Sequence, residues 1–330
     1  MRVLVTGASG FLGARLARLL CAEGHKVRGT YRPGDRLDVL ADLELEAVAC
    51  DVLDEAGTRA AVEGAEAVFH VAAMVTFDPA DYWKQMRVNV DGTRVLLAAC
   101  GAAGVSRLVH TSTVNTLGAP RPGTVGHEGT PFDWGRFRLG YMDSKKASED
   151  LVTAAAREGV NACSVLPGTF FGPGDVNQNA GTYVLQCARG NLKAAPPGGT
   201  SVVHVDDVAR GHLLALERGA RGGRYVLGGE NLTYRQLFSV IAEAVGRPPP
   251  AVTLPAGLMS AAAGASDWLR SRLGAPLPLS AGLARAASSR LFYSSHHARR
   301  ELGYTFRPAH DAIADAVAWY RARGLLEGAA

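Results

Sequence analysis

Arg2-Val-Leu-Val-Thr-Gly-Ala-Ser-Gly-Phe-Leu-Gly13 is the stretch whose reading decides the fold. Arg2–Thr6 has the short apolar run of a buried strand, and an apolar stripe at helical spacing follows over Gly13–Glu23. Between them, Gly7, Gly10 and Gly13 permit a tight turn, close approach of backbone to a pyrophosphate, and close packing of helix on strand. The helix N-terminus then offers free N–H groups and a positive dipole end to phosphate. Three glycines at this spacing are a weak signal alone. Here a second strand, Lys26–Tyr31, follows the helix, which is the context the pattern requires. Ser9, Phe11 and Leu12 complete the expected cofactor loop.

Working outward, strand patterns recur at Glu46–Cys50, Ala67–His70, Arg107–Thr111 and Ala162–Leu166, with helical patterns at Ala56–Val62, Thr93–Ala103 and Tyr141–Glu158 between them. Strands apolar on both faces and separated by helices predict an α/β, doubly wound parallel sheet of the Rossmann kind. The rhythm breaks after Gly172, where Gly and Pro become denser, although strand-like pieces return at Ser201–Val205 and Arg224–Leu227. The expected division is a dinucleotide-binding domain of residues 1–172 plus about 201–228. A smaller, discontinuous substrate domain takes about 173–200 and 229–330. The aromatic, aperiodic stretch Ala119–Leu139 is expected to form a wall of the active site, since long loops inside compact domains are usually functional.

Composition narrows the class. A net charge of +4, scattered rather than clustered, argues against nucleic acid as a partner. Five cysteines without metal-ligand spacing read as free thiols in a reducing compartment, and no metal is expected. The chain opens on a strand rather than a signal peptide, so a cytoplasmic location is expected. Leu254–Leu273 carries Asp267, Arg270 and Arg272, and predicts an amphipathic helix packed on the protein rather than a membrane span.

The second strand ends in Tyr31-Arg32, with Arg36 shortly after. No acid stands at the position where one would accept hydrogen bonds from a ribose 2′-OH, and a guanidinium there suits a 2′-phosphate. The reading favours NADP(H), with NAD(H) the alternative. Asp51-Val52, after the third strand, is placed for the adenine edge, though Asp51 could equally cap a helix. Val71-Ala72-Ala73, after the fourth, leaves room for a cofactor.

Tyr141-Met-Asp-Ser-Lys145 puts a phenol and an ammonium one turn apart on one helix face. A cation about 5 Å from the phenol, at an effective dielectric near 20, would favour the phenolate by about 3 kcal/mol, or about two pH units. That would move a group titrating near 10 toward the range useful for general acid–base catalysis. Thr111-Ser112-Thr113, at the end of the fifth strand, supplies hydroxyls that could hold a substrate oxygen beside Tyr141.

These motifs together resemble the extended short-chain dehydrogenase/reductases, the NAD-dependent epimerase/dehydratase superfamily, over essentially the full chain. The TGxxGxxG loop matches Thr6–Gly13, and the NVxGT stretch matches Asn89-Val-Asp-Gly-Thr93. The resemblance puts the catalytic hydroxyl on Thr113, where most members have Ser, alongside Tyr141 and Lys145. It puts a nicotinamide-side turn on Pro167-Gly168-Thr169, and it matches an HVDDVA segment to His204–Ala209, where His204 and Asp207 read as structural. Nucleotide-sugar epimerases carry an arginine shortly before that segment, where this chain has Thr200-Ser-Val-Val203; Arg285 or Arg290 could substitute. Arg32 and Leu166–Thr169 resemble the dihydroflavonol-4-reductase-like branch, and the C-terminal region resembles its hopanoid-associated group.

The reading is therefore an NADPH-dependent reductase of a ketone or aldehyde, on a fairly apolar small molecule. Its expected walls are Phe132, Trp134, Phe137, Phe170, Phe171 and the helices around Leu258 and Trp268, although these aromatics could equally be core. The alternatives are a sugar epimerase or dehydratase with retained cofactor, and a non-catalytic dinucleotide sensor. The resemblance allows a monomer or a homodimer.

Overall fold

The computed structural model describes residues 1–273 and 280–326. Its first half alternates β1 (Arg2–Thr6), α1 (Phe11–Ala22), β2 (Lys26–Tyr31), β3 (Glu46–Ala49), α2 (Glu55–Val62) and β4 (Ala67–His70). It continues through α3 (Tyr82–Gln85), α4 (Gly92–Ala103), β5 (Arg107–Thr111), α5 (Gly140–Arg157) and β6 (Ala162–Pro167). The six strands predicted from pattern in this half are all present, with ends shifted by at most one residue.

The second half contains β7 (Thr169–Phe171), α6 (Gly181–Ala188), β8 (Ala194–Ala195), β9 (Gly199–His204), α7 (Val205–Arg218), β10 (Arg224–Leu227) and β11 (Glu230–Thr233). Then come α8 (Tyr234–Val245), β12 (Val252–Thr253), α9 (Ala256–Leu273), α10 (Ala281–Ser288), β13 (Arg290–Leu291), α11 (His296–Leu302) and α12 (Ala309–Ala322).

Seven strands form one parallel sheet in the order β10-β6-β5-β4-β1-β2-β3. The order reverses between β1 and β4, and in such sheets ligands bind in the crevice outside the strand carboxyl ends at that point. β4 and β5 are buried along their whole length, because helices cover both faces. Leu16, Leu20, Val208 and Leu213 fill one side, while Leu4, Leu96, Leu108 and Val152 fill the other.

β10 rejoins the main sheet beside β6. β9 instead centres a separate sheet, pairing with β7 and β13 in parallel and with β11 antiparallel. A second core of Phe171, Leu237, Ile241, Ile313 and Tyr320 lies with α6, α8 and α12.

Helix boundaries follow local chemistry. Asp54 caps α2 through Ala56 and Gly57 N–H, and Thr233 with Gln236 makes a reciprocal capping box on α8. Among the described residues, no helix is long and apolar enough to cross a membrane. α9 lies where Leu254–Leu273 predicted a helix, but Leu258 and Trp268 stand 57% and 60% exposed rather than packed inward.

Candidate active site

The glycine loop is shaped by backbone contacts that leave no room for side chains. A Cβ on Gly13 would sit 2.1 Å from the Gly7 carbonyl oxygen, and one on Gly7 would sit 2.9 Å from Ala72 Cα. Gly7 also has φ +69°, a left-handed conformation that glycine adopts without strain. Gly10 precedes α1 with no side-chain cap, and no acid occupies the helix's first turn. The first N–H groups thus point at the crevice without a side-chain partner, which fits a bound diphosphate. Phe11 and Leu12 are buried in the core beneath, so what they present to the crevice is backbone.

Thr6 locks the two walls of the crevice together. Its hydroxyl accepts from Val71 N–H and Ala72 N–H, both at 3.1 Å, and bonds His70 Nδ1 at 2.9 Å. Ala72 and Ala73 are half-buried at this edge. From His70 a buried chain runs through Thr93, Ser148 and His110 to Ser164. Burial, with Lys145 nearby, pulls His70 down to about 3, so this chain holds neutral imidazole at ordinary pH.

The ribose end departs from the sequence expectation. Gly34, at φ +92°, lets the chain turn back after Arg32, and Asp35 meets the glycine loop. Ser9 Oγ donates to Asp35 at 2.7 Å, while Arg32 donates to the same carboxylate from its backbone and its guanidinium at 3.2 Å. Burial works to raise Asp35, but the bonds from Ser9 and Arg32 outweigh it and hold the carboxyl below its usual range. An acid therefore does reach the glycine loop, four residues beyond the strand end, where a turn rather than a pattern delivers it. Arg36 pairs with Asp38, which Arg323 also holds.

Asp51 follows β3 and accepts from Leu53 N–H at 2.9 Å in a local turn, while Val52 packs against Gly92. Pro167 ends β6, and a Cβ on Gly168 would sit 2.6 Å from the Ser201 carbonyl oxygen of β9. Thr169 Oγ1 meets Thr200 Oγ1 at 2.8 Å. The turn is thus pinned where the two sheets meet.

Tyr141, Lys145 and Thr113 come together at the carboxyl end of β5. Thr113 caps a short helical turn, Val114–Thr116, and its hydroxyl faces the Tyr141 phenol. Lys145 Nζ, 4% exposed, donates to the Thr111 carbonyl at 2.6 Å. Burial pulls Lys145 down to about 8, with Glu149 opposing. Burial raises Tyr141 above its usual value, and the Thr113 hydroxyl only partly opposes it. Burial therefore outweighs the lowering that the Tyr141–Lys145 spacing predicts.

Three neighbours complete the site, of which the sequence reading had named only Asn89, within the NVxGT stretch. Glu149, one turn after Lys145 and 2% exposed, accepts from Thr116 at 2.8 Å and from Ser112, and pairs with Arg224 at 2.6 Å. Its spacing from Lys145 was the available signal. Asn89, in the π-helical stretch Met86–Asp91, bonds both the N–H and the C=O of Met74 and donates to Ser144 Oγ at 2.9 Å. It ties the loop after β4 to the helix that bears Tyr141. Phe77, from that loop, meets the Tyr141 ring edge-on at 5.6 Å.

A cavity of about 370 Å³ opens beside Phe77, between the loop after β4, the end of the 119–139 stretch, and α9–α10. Phe137 lines it, as expected, but Trp134 and Phe171 are core residues, and Trp134 Nε1 is spent on the Leu117 carbonyl. Phe170 packs on Phe11 at the glycine loop. Tyr82 and Trp83, also unread, complete the aromatic wall.

The comparisons with known proteins agree with this architecture. Residues 3–228 match the model of the NAD dependent epimerase/dehydratase family. The chain belongs to that family. It is an NAD(P)-dependent enzyme of the extended short-chain dehydrogenase/reductase type. It is 36% identical to sterol demethylase protein B of Methylococcus capsulatus over 99% of this chain and 100% of that protein. It is 32% identical to a dihydroflavonol 4-reductase-like protein of Synechocystis sp., over 98% and 95% of the two chains. The crystal structure of a nucleoside-diphosphate-sugar epimerase from Pseudomonas aeruginosa superposes with a TM-score of 0.83 at 27% identity, covering 98% and 99%.

Two other marks of the family have structural uses in this chain. His204 caps α7 through Asp206 N–H and meets Asp315, while Asp207 holds Arg307. Arg285, a possible diphosphate ligand by sequence, is engaged by Asp133 and lies over the Trp134 and Phe137 rings.

Proposed function

We propose that the protein is a carbonyl reductase that prefers NADPH and acts on a small, fairly apolar ketone or aldehyde. The observation that carries this reading is the Tyr141–Thr113 hydroxyl pair, backed by Lys145 and opening toward an aromatic cavity. Gly7, Ser9, Gly10, Gly13 and the backbone of Phe11 and Leu12 would hold the diphosphate. Ala72, Ala73 and Pro167–Thr169 would flank the nicotinamide half, with Asp51 and Val52 toward the adenine. When bound, the dinucleotide supplies the hydride at the carbonyl carbon.

The remaining chemistry belongs to side chains. Thr113 holds the carbonyl oxygen, and Tyr141 delivers its phenolic proton to that oxygen as charge develops there. Burial suits this direction, since it keeps Tyr141 protonated at neutral pH. Lys145 then offsets the phenolate left behind. For the 2′-phosphate, Arg32 offers its guanidinium after leaving Asp35, an exchange of one anion for another across an exposed ion pair of small strength.

The epimerase or dehydratase alternative requires a grip on a sugar nucleotide. Thr200–Val203 offers no cation there and Arg285 is occupied, which leaves Arg290, on β13 beside β9, as the remaining substitute named from the sequence. A screen of NADPH oxidation over aromatic, steroidal, polyketide-like and sugar carbonyls, with NADH in parallel, tests the reductase reading. Turnover of an apolar carbonyl with net NADPH loss is expected. Cofactor retained through purification, with no net oxidation of NADPH or NADH on any substrate, would replace it with the epimerase reading.

A further inference from the structure

We propose that the cavity beside Tyr141 selects a carbonyl compound that carries a carboxylate on an apolar body, with Arg136 and Arg138 as the carboxylate's anchors. The inference rests on the reductase reading for its reaction, but the anion site can be tested apart from it.

The cavity walls are of two kinds. Phe77, Tyr82, Trp83 and Phe137 offer aromatic faces, and Phe77 also touches the Tyr141 ring, so the apolar part of a ligand would reach the candidate catalytic phenol. Arg136 and Arg138 enter the same space. The Arg136 guanidinium lies over Phe137 at 4.8 Å and that of Arg138 over Tyr82 at 4.9 Å. Stacking covers the flat face of a guanidinium and leaves its N–H edge free, and that edge matches a carboxylate. Among the described residues, neither arginine forms an ion pair.

The acids in the wall do not meet this need. Asp78 caps its own turn through Ala80 N–H at 2.9 Å, and Asp267 accepts from Ala281 N–H at 2.9 Å. Asp143, which acts electrostatically on Arg138, takes its hydrogen bond from the Tyr82 hydroxyl instead.

Two further observations point to a ligand at this wall. Arg138 has φ +49°, a conformation that non-glycine residues rarely hold and that gathers at binding sites. Gln85 is 1% exposed, and neither atom of its amide has a hydrogen-bond partner. That amide lies behind the cavity wall, against Gly140 and 2.6 Å from where a Cβ would be, so a ligand in the cavity would meet it across that glycine. An unpartnered buried amide is costly unless a ligand or water answers it. The volume suits one ring and a short chain rather than a nucleotide diphosphate.

The test uses 4-oxo-4-phenylbutanoate and its primary amide, which match in shape and differ in charge. Calorimetry on the NADP⁺-loaded protein measures binding without turnover, and NADPH oxidation measures reduction of the same pair. The acid is expected to bind about tenfold or more tightly than the amide. R136Q should weaken acid binding several-fold. R138N, chosen because Asn tolerates the left-handed backbone, should do the same, and the double variant should erase the preference. Equal binding of acid and amide, or a preference that survives in the double variant, overturns the proposal. Selective acid binding with no reduction of any carbonyl in the wider screen would leave the anion site standing and remove the reductase reading. Reduction of both compounds with equal binding would do the reverse.

Discussion

The two walls of the cleft are built on different principles. On the cofactor side, Gly7, Gly13 and Ala72 press backbone against backbone, Thr6 bolts the edges together, and the helix end is left bare. On the proposed substrate side, the wall is side chains on loops and the short helix α3: Phe77 and Trp83 stand 46% and 71% exposed, Arg138 has a left-handed backbone, and Gln85 has no partner. A backbone-made wall suits a ligand shared across a family. A side-chain wall can be changed residue by residue without disturbing the sheet, so under the proposed function substrate choice would reside there.

Predictions follow this contrast in descending size. At the junction of the walls, Tyr141→Phe should lower kcat for carbonyl reduction by about 10²–10⁴-fold, the usual worth of a positioned general acid. On the backbone wall, Gly13→Ala should weaken dinucleotide binding by about 10–100-fold in calorimetry, because the added Cβ overlaps the Gly7 carbonyl and the loop must move. Retained affinity would mean that the loop is looser than its contacts imply. At the ribose end, Arg32→Gln should cut the NADPH-over-NADH ratio in kcat/KM by about tenfold. Asp35→Asn should raise that ratio by about two- to threefold, since it removes a negative charge from the side of the 2′-phosphate. An unchanged ratio in both variants would place cofactor choice elsewhere.

Legibility in the sequence divides along the same line. The glycine loop, the alternation of strand and helix in the first half, and the Tyr141–Lys145 spacing depend on local periodicity or on residues a few positions apart, and these were readable. Asp35 was not, because a turn at Gly34 brings it back to Ser9, 26 positions earlier. Phe77, Tyr82, Trp83 and Arg138 were missed because stretches without a period carry no signal of what they face. Trp134, which the sequence left open between wall and core, plugs the core under Leu117. The direction of the Tyr141 shift also went against the simple charge argument, since burial outweighs it.

The central claim, that the phenol at position 141 carries the proton exchanged with the substrate oxygen, is tested most directly by the pH dependence of alcohol oxidation. That direction needs the phenol deprotonated, and burial holds it protonated at neutral pH. Oxidation kcat/KM should therefore climb by about tenfold per pH unit between about pH 6 and 8. The climb should flatten as Lys145, at about 8, gives up the charge that supports the phenolate. A wild-type rate level across that range, or a Tyr141→Phe variant that keeps both the rate and the slope, would contradict the account.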